Sequence, residues 1–247
     1  MNRLLSEFAA DESLADSSIQ VDQACLESHD FQHLPHALIA PLHYERNYAY
    51  PLIVWLHGPG DDERQLQRVM PLVSMRNYVA VGPRASSKME KNLLGYRWNQ
   101  SEGDIERAEQ RIFDCIDLAH RRFNIATPRV FIGGYDCGGT MAFRIGLKHP
   151  DQFAGVISIG GPFPSNKTPL ANIEQARRMP MLVMHGRDST VYPVNRSCEE
   201  LRLFHSAGIA VTVRQYPAGD ELTTQMLHDM NVWIMEQVTG VPITEDA

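Results

Sequence analysis

The sequence lacks any continuous run of roughly 20 apolar residues, the length that crosses a bilayer, so no membrane-spanning helix is expected. It also lacks an apolar leader. Met1 to Asp30 is interrupted by acidic residues where a secretory signal would be apolar, which points to a cytoplasmic protein. Cysteine is scarce and scattered: Cys25, Cys115, Cys137 and Cys198 form no CxxC pair, which argues against a disulfide framework or a zinc site and predicts reduced thiols. Basic charge is in deficit, with 23 Lys plus Arg against 30 Asp plus Glu and a net charge of −7. The electrostatic footprint of a nucleic-acid binder is therefore missing. Internal repeats and low-complexity segments are absent as well.

What is present is an ordinary globular composition, 43% hydrophobic and 21% charged over 247 residues, enough for one domain with a sizeable core. Residues 1–35, rich in Ser, Asp, Glu and Ala, read as a loosely ordered extension whose one apolar cluster lies around Leu4, Leu5 and Phe8. Residues 36–240 read as the folded domain and 241–247 as a tail. HALIAPL and LIVWLHG are apolar runs too short for helices and read as two strands, expected to form an antiparallel pair. Beyond them apolar runs alternate with helical stretches: YVAVGP, the helix IERAEQRIFDCIDLAHRRF, RVFIGGY, a helix through MAFRIGLKH, FAGVISIGG, MLVMHG, a helix from about Val194 to Ser206, VTVRQYP and a last helix containing MLHDMNVWIMEQV. Strands alternating with helices predict a mainly parallel sheet covered on both faces. In the last helix Met226, Met230, Trp233 and Gln237 follow helical spacing, with Ile234 beside them, and read as core. Ser86 to Gly103 is the one long loop candidate.

Open α/β sheets place their chemistry at the carboxyl ends of the strands. There RVFIGGYDCGGTMAFRIGLKHP has the grammar of a nucleophile elbow, a buried strand, a sharp glycine turn and an immediate helix. Gly134, Tyr135, Asp136, Cys137 and Gly138 fill the five places of GxSxG, with aspartate at the nucleophile.

With PLIVWLHGPGDD, HPDQFAGVISIGG, MLVMHGRDSTVYP and YPAGDE in order around that elbow, the chain resembles the phospholipase/carboxylesterase (acyl-protein thioesterase-like) branch of the α/β-hydrolase fold over about residues 36–240. The resemblance implies an α/β-hydrolase fold, mainly parallel, and a site in which a serine attacks an acyl carbonyl, a histidine takes its proton and an aspartate orients the histidine. Here those positions carry other residues. Asp136 stands for the serine and Asp220, after Gly219, for the histidine, while the acid position falls on Ser189 with Asp188 one residue early. Of the two oxyanion-hole donors the resemblance implies, Cys137 supplies one, but Pro59 occupies the other and has no N–H. His57, Gly58, Tyr135 and Trp98 are the residues expected to line the pocket, with Trp98 equally readable as a packing anchor.

The histidines His57, His149, His185, His205 and His228 all belong to other contexts, His57 and His185 to HG turns and His149 to a helix end. Asp136, Asp188 and Asp220 would converge if the family geometry holds, and their mutual repulsion calls for a cation or an arginine. Arg84, Arg97 or Arg187 is the expected partner, and no metal and no cofactor is expected. Cys137, one place past the apex and beside Asp136, reads as a small buried residue and not a thiolate nucleophile. The expectation is a catalytically silent relative of carboxylesterases that binds a small acyl or ester-like ligand or a protein partner. The alternatives are a weak carboxylic-ester hydrolase or a hydrolase using Asp136 covalently with a water activated by Asp220. A homodimer is a further expectation.

Overall fold

The computed structural model describes residues 35–240 except 91–92 and 166–168. The expected extension at residues 1–35, Cys25 and the tail at 241–247 therefore lie almost wholly outside the described residues. Seven strands form one sheet in the order β1 (His36–Ile39), β3 (Val79–Pro83), β2 (Tyr50–Leu56), β6 (Ile125–Tyr135), β7 (Gly155–Ile159), β8 (Met181–Gly186) and β9 (Val211–Tyr216). All pairings from β3 to β9 are parallel. Every residue of β2, β3, β7 and β8 is buried, which is why these strands read as unbroken apolar runs and not as alternating patterns.

The expected antiparallel pairing of the first two strands is corrected. β1 pairs antiparallel with β3, His36 opposite Pro83 and Ile39 opposite Ala80, and β3 separates it from β2. The link from Ala40 to Ala49 is far longer than the two-residue turn that would force neighbouring strands together. It leaves β1 free to cap the edge while β2, buried along its whole length, takes parallel partners on both sides.

Helices cover both faces. On one, α2 (Glu102–Arg122), α3 (Cys137–Lys148) and α5 (Val194–Ala207) bury Ala108, Ile112, Met141, Phe143 and Phe204 against the strands. On the other, α1 (Gln65–Val73) and α6 (Thr224–Thr239) bury Leu66, Met70, Met226, Met230 and Trp233. The core stripe expected in the last helix is in place at Met226, Met230, Trp233 and Ile234, but Gln237, expected in it, is exposed, as a polar amide at the helix rim prefers water. α2 begins where Ser101 Oγ accepts the Asp104 N–H, and α6 where Thr223 does the same for Met226, the capping that frees these helices to start abruptly. The short α4 (Ile173–Ala176) lies between β7 and β8. The sequence pattern does not announce α1, because Pro71 lies inside it and no side chain caps its start. Nor does it announce the hairpin β4 (Ser87–Lys88) and β5 (Tyr96–Arg97), whose strands are two residues long, inside the expected loop.

Candidate active site

The elbow is built as its grammar requires. β6 ends at Tyr135, Asp136 turns at φ 51° and ψ −119°, and α3 starts at Cys137. Positive φ is costly for a residue with a Cβ, and this ψ lies outside the small left-handed well, so the apex is held under strain. Tight packing enforces it. A Cβ on Gly138 would lie 2.2 Å from the Leu56 carbonyl oxygen, and one on Gly134 would lie 2.6 Å from the Gly138 backbone. The Asp136 N–H donates to the Ile159 carbonyl at 2.8 Å, and the Thr140 N–H donates to the Asp136 carbonyl at 3.0 Å.

The Asp136 carboxylate, half-buried at the apex, is close enough to the backbone N–H of Cys137, the oxyanion donor that the resemblance implies, for that N–H to favour its charged form. Burial pushes its pKa up; the Cys137 N–H and the nearby Arg97 guanidinium oppose that shift, and Asp220 adds to it. A carboxyl whose pKa is raised by folding costs stability once pH exceeds its unfolded value, near 3.8. Below that pH both states are protonated and the cost vanishes. Asp136→Asn is therefore expected to raise Tm at pH 7 and to match the parent at pH 3. Asp136→Gly, which also removes the φ strain, should add about 1–3 kcal/mol at either pH. Thermal melts at the two pH values separate charge from strain.

The loop after β2 offers no second oxyanion donor. The Gly58 N–H donates to Gln65 Oε1 at 3.1 Å, Pro59 has no N–H, and the Gly60 N–H donates to the Tyr96 carbonyl at 3.0 Å. Gln65, unmarked in the sequence, is the hub of this loop. Its Oε1 also accepts Trp55 Nε1–H at 2.9 Å, and its amide donates to Asp61 at 3.0 Å. Its one sequence signal is a polar residue at a helical position that proves to be buried.

At the histidine position, the Asp220 carboxylate is saturated. Ser189 Oγ–H donates to it at 2.5 Å, Thr190 donates both its N–H at 3.0 Å and its hydroxyl at 2.5 Å, and the Val191 N–H donates at 3.1 Å. These donors, Ser189 first, hold the Asp220 pKa down to about 2. The structure thus brings together the positions of histidine and acid with the hydrogen-bond polarity reversed: a hydroxyl donor at 189 and a carboxylate acceptor at 220. Asp188 is not brought in. Its side chain is 65% exposed and faces Arg187 at 3.3 Å. Of Asp188 and Ser189, it is Ser189 whose side chain meets Asp220. Tyr135 closes the cleft floor, packing on Gly58 and donating its hydroxyl to the Asp220 carbonyl. The cleft, lined by Tyr135, Asp136, Ser189, Val191, Asp220 and Met226, offers about 10 Å³, room for about one water.

Of the other pocket candidates, Trp98 is a packing anchor: it is 3% exposed, donates Nε1–H to the His57 carbonyl at 3.1 Å and lies 5.4 Å from the His57 ring. His57 is committed to the same framework. Its Nε2 accepts the Ala85 N–H at 3.1 Å, so Nδ1 carries the proton and donates to the Gly58 carbonyl at 2.8 Å. Burial lowers its pKa, keeping the ring neutral. The Cys137 thiol is pushed up to about 11, chiefly by burial, and is no thiolate at neutral pH. Arg84, expected near the aspartates, instead grips Glu63 through Nε and NH2 at 2.5 and 2.6 Å and stacks on Tyr96, pinning the hairpin to the loop after β2. Arg97 is the arginine that acts on Asp136. His149 pairs with Glu109 and His185 with Ser197, while His228 lies beside Asp229. Among the described residues, no histidine hydrogen-bonds to Asp136 or Asp220.

The chain and its fold are similar to known proteins. The pattern that defines the phospholipase/carboxylesterase family fits residues 42–237. The chain belongs to that family. Among curated relatives, the probable carboxylesterase SOBER1-like of Arabidopsis thaliana is 23% identical over 212 residues, covering 77% of this chain and 80% of that one. The putative esterase NocK of Nocardia uniformis subsp. tsuyamanensis is 26% identical over 147 residues, 58% of this chain and 41% of NocK. The matches to acyl-protein thioesterase 1 of Gibberella zeae and of Schizosaccharomyces pombe span 50% and 42% of those proteins, so the chain spans about half the length of several relatives it matches. Among solved structures, a carboxylesterase from Mesorhizobium loti superposes with a TM-score of 0.69 at 17% identity, covering 85% of this chain and 99% of that one. SOBER1 of A. thaliana superposes at 0.65 and 21%, covering 77% and 100%. At such identities the likeness is one of fold, and it is the α/β-hydrolase fold. Among the described residues no helix is long and apolar enough to cross a membrane.

Proposed function

We propose that this family member is catalytically silent and uses the scaffold to hold a small acyl or ester-like ligand or a protein partner. The observation that carries this reading is the carboxylate of Asp136 at the elbow apex, the place the resemblance gives to the attacking hydroxyl, beside the backbone N–H that would serve a developing oxyanion. A serine hydrolase there would also need a base, and position 220 carries a carboxylate with a pKa of about 2, too weak to remove a hydroxyl proton. An acyl chain has a place between the segment after β7 and helix α5. The apolar groove lined by Phe163, Pro164, Leu170 and Leu203, about 560 Å³, is in the size range of small-molecule sites.

A second reading, Asp136 as a covalent nucleophile, is favoured by the retained strain of its apex. It requires Asp220 to activate water, a role its four donor groups oppose. Hydrolysis of p-nitrophenyl acetate decides between the readings. The parent chain is expected to match the buffer rate. Turnover abolished by Asp136→Ala would establish the covalent reading, and turnover surviving that substitution would establish a weak esterase that does not use the elbow.

A further inference from the structure

The apex of the elbow is shaped for a reaction within the chain itself. Asp136 has φ 51° and ψ −119°. In an L-residue the Cβ stands about 120° from the nitrogen around the Cα–C axis, so a ψ near −120° turns Cβ into line with the nitrogen of the next residue. Helices and strands, with ψ about −42° and about +135°, keep these two atoms well apart. At Asp136 they are nearly eclipsed. The side chain is turned the same way, since its carboxyl lies close enough to the Cys137 N–H for that N–H to favour the charged form. The Cα, Cβ, Cγ and carbonyl carbon of Asp136 and the nitrogen of Cys137 thus already trace most of a five-membered ring.

We propose that Asp136 and Cys137 close this ring to a cyclic imide, making the elbow a site of spontaneous chain modification. The Cys137 nitrogen attacks Cγ of Asp136. An N–Cγ bond forms, a Cγ–O bond breaks, and the carboxyl hydroxyl leaves as water with the hydrogen of the Cys137 N–H. No oxidant or further reactant is needed. Opening by water at one carbonyl returns aspartate, and at the other leaves isoaspartate.

The fold favours closure at several points. Packing against Gly134 and Gly138 holds the backbone at the reactive angle, an orientation that a flexible chain has to find at the moment of reaction. Cys137 is the first residue of α3, so its N–H has no intrahelical carbonyl to bond. A substituted nitrogen fits there for the reason that proline fits the first position of a helix. Water leaves from the neutral acid, and burial enlarges that fraction at Asp136; among the charged groups facing it, Asp220 acts in the same direction and Arg97 against it. The cleft beside Asp136 has room for about one water, which slows the reopening. What remains is a rotation of the side chain off its staggered rotamer, a modest cost.

Intact-mass spectrometry of the full chain, aged for days in mildly acidic buffer, tests the proposal, with a parallel sample aged in urea and with Asp136→Glu. The folded parent is expected to accumulate a species lighter by one water about tenfold faster than the denatured parent. Hydroxylamine, which cleaves chains at cyclic imides, should cut that species between Asp136 and Cys137. Asp136→Glu, which would need a six-membered ring, should show neither change. In a denatured chain Asp16 and Asp188, each followed by a small serine, are expected to lose water first. A loss mapped to those residues in the folded parent, a loss as fast in urea as in buffer, a loss that persists in Asp136→Glu, or no loss at all overturns the proposal. If Asp136→Glu does not fold, the hydroxylamine cut in the parent decides.

Discussion

A chain carrying Asp136→Ser, Ser189→Asp and Asp220→His together is expected to hydrolyse p-nitrophenyl butyrate about a thousandfold faster than the parent, while none of the three single variants gains measurable activity. The residues of a triad act as a unit, so each substitution alone leaves the proton without a path. The geometry favours the combination because the side chains at 189 and 220 already meet at 2.5 Å. Exchanging donor for acceptor keeps that contact and restores its family polarity. Removing the Asp136 carboxylate also frees the Cys137 N–H for an oxyanion. The repaired chain should still fall short of a natural esterase, since Pro59 supplies no N–H and one missing donor costs about 2.7–4 kcal/mol. Adding Pro59→Ala is expected to recover roughly a further hundredfold. Steady-state kinetics on the parent, the three single variants, the triple variant and the quadruple variant checks the series. A folded triple variant with no gain would show that positions 189 and 220 are not the relic of an acid–histidine pair.

Gly138→Ala is expected to destabilise the protein by about 3 kcal/mol or more, lowering Tm by roughly 6–12 °C for a chain of this size. Within a helix the change from glycine to alanine is ordinarily stabilising by up to about 1 kcal/mol. Here the new methyl would meet the carbonyl oxygens of Leu56 and His57 at 2.2 and 2.6 Å, and both are backbone atoms of the central strand and its loop, which cannot turn aside. Gly103, in the first turn of α2, provides the contrast, because a Cβ there meets only the flexible end of Arg107 at 3.3 Å. Gly103→Ala should be neutral or slightly stabilising. Denaturant melts of both variants test whether the elbow, and not glycine in helices generally, sets the cost.

Much of the fold was legible in the chain because buried parallel strands and amphipathic helices leave strong local marks. The runs around β2, β6, β7 and β8, the helices α2, α3, α5 and α6, and the glycine frame of the elbow could all be read from residue order. Legibility failed where the signal was short or broken, at α1 with its internal proline and at the two-residue strands of the hairpin. Strand neighbours were legible only in part, since nothing in HALIAPL says that β3 will come between it and β2.

The sequence by itself determined which chemical groups stand at and around the elbow: two aspartates at the places the resemblance would give to serine and histidine, a serine beside an aspartate at 189 and 188, and a proline that cannot donate. Only the tertiary structure decided what those groups do to one another. Hydrogen bonding and burial depend on neighbours far away in the chain, so it took the folded sheet to half-bury Asp136 within the influence of Arg97 and Asp220, surround Asp220 with donors from residues 189–191, turn Asp188 out to solvent and commit His57 to Ala85. A residue's identity fixes what it can donate or accept, and its partners fix whether any of that capacity is left for a substrate.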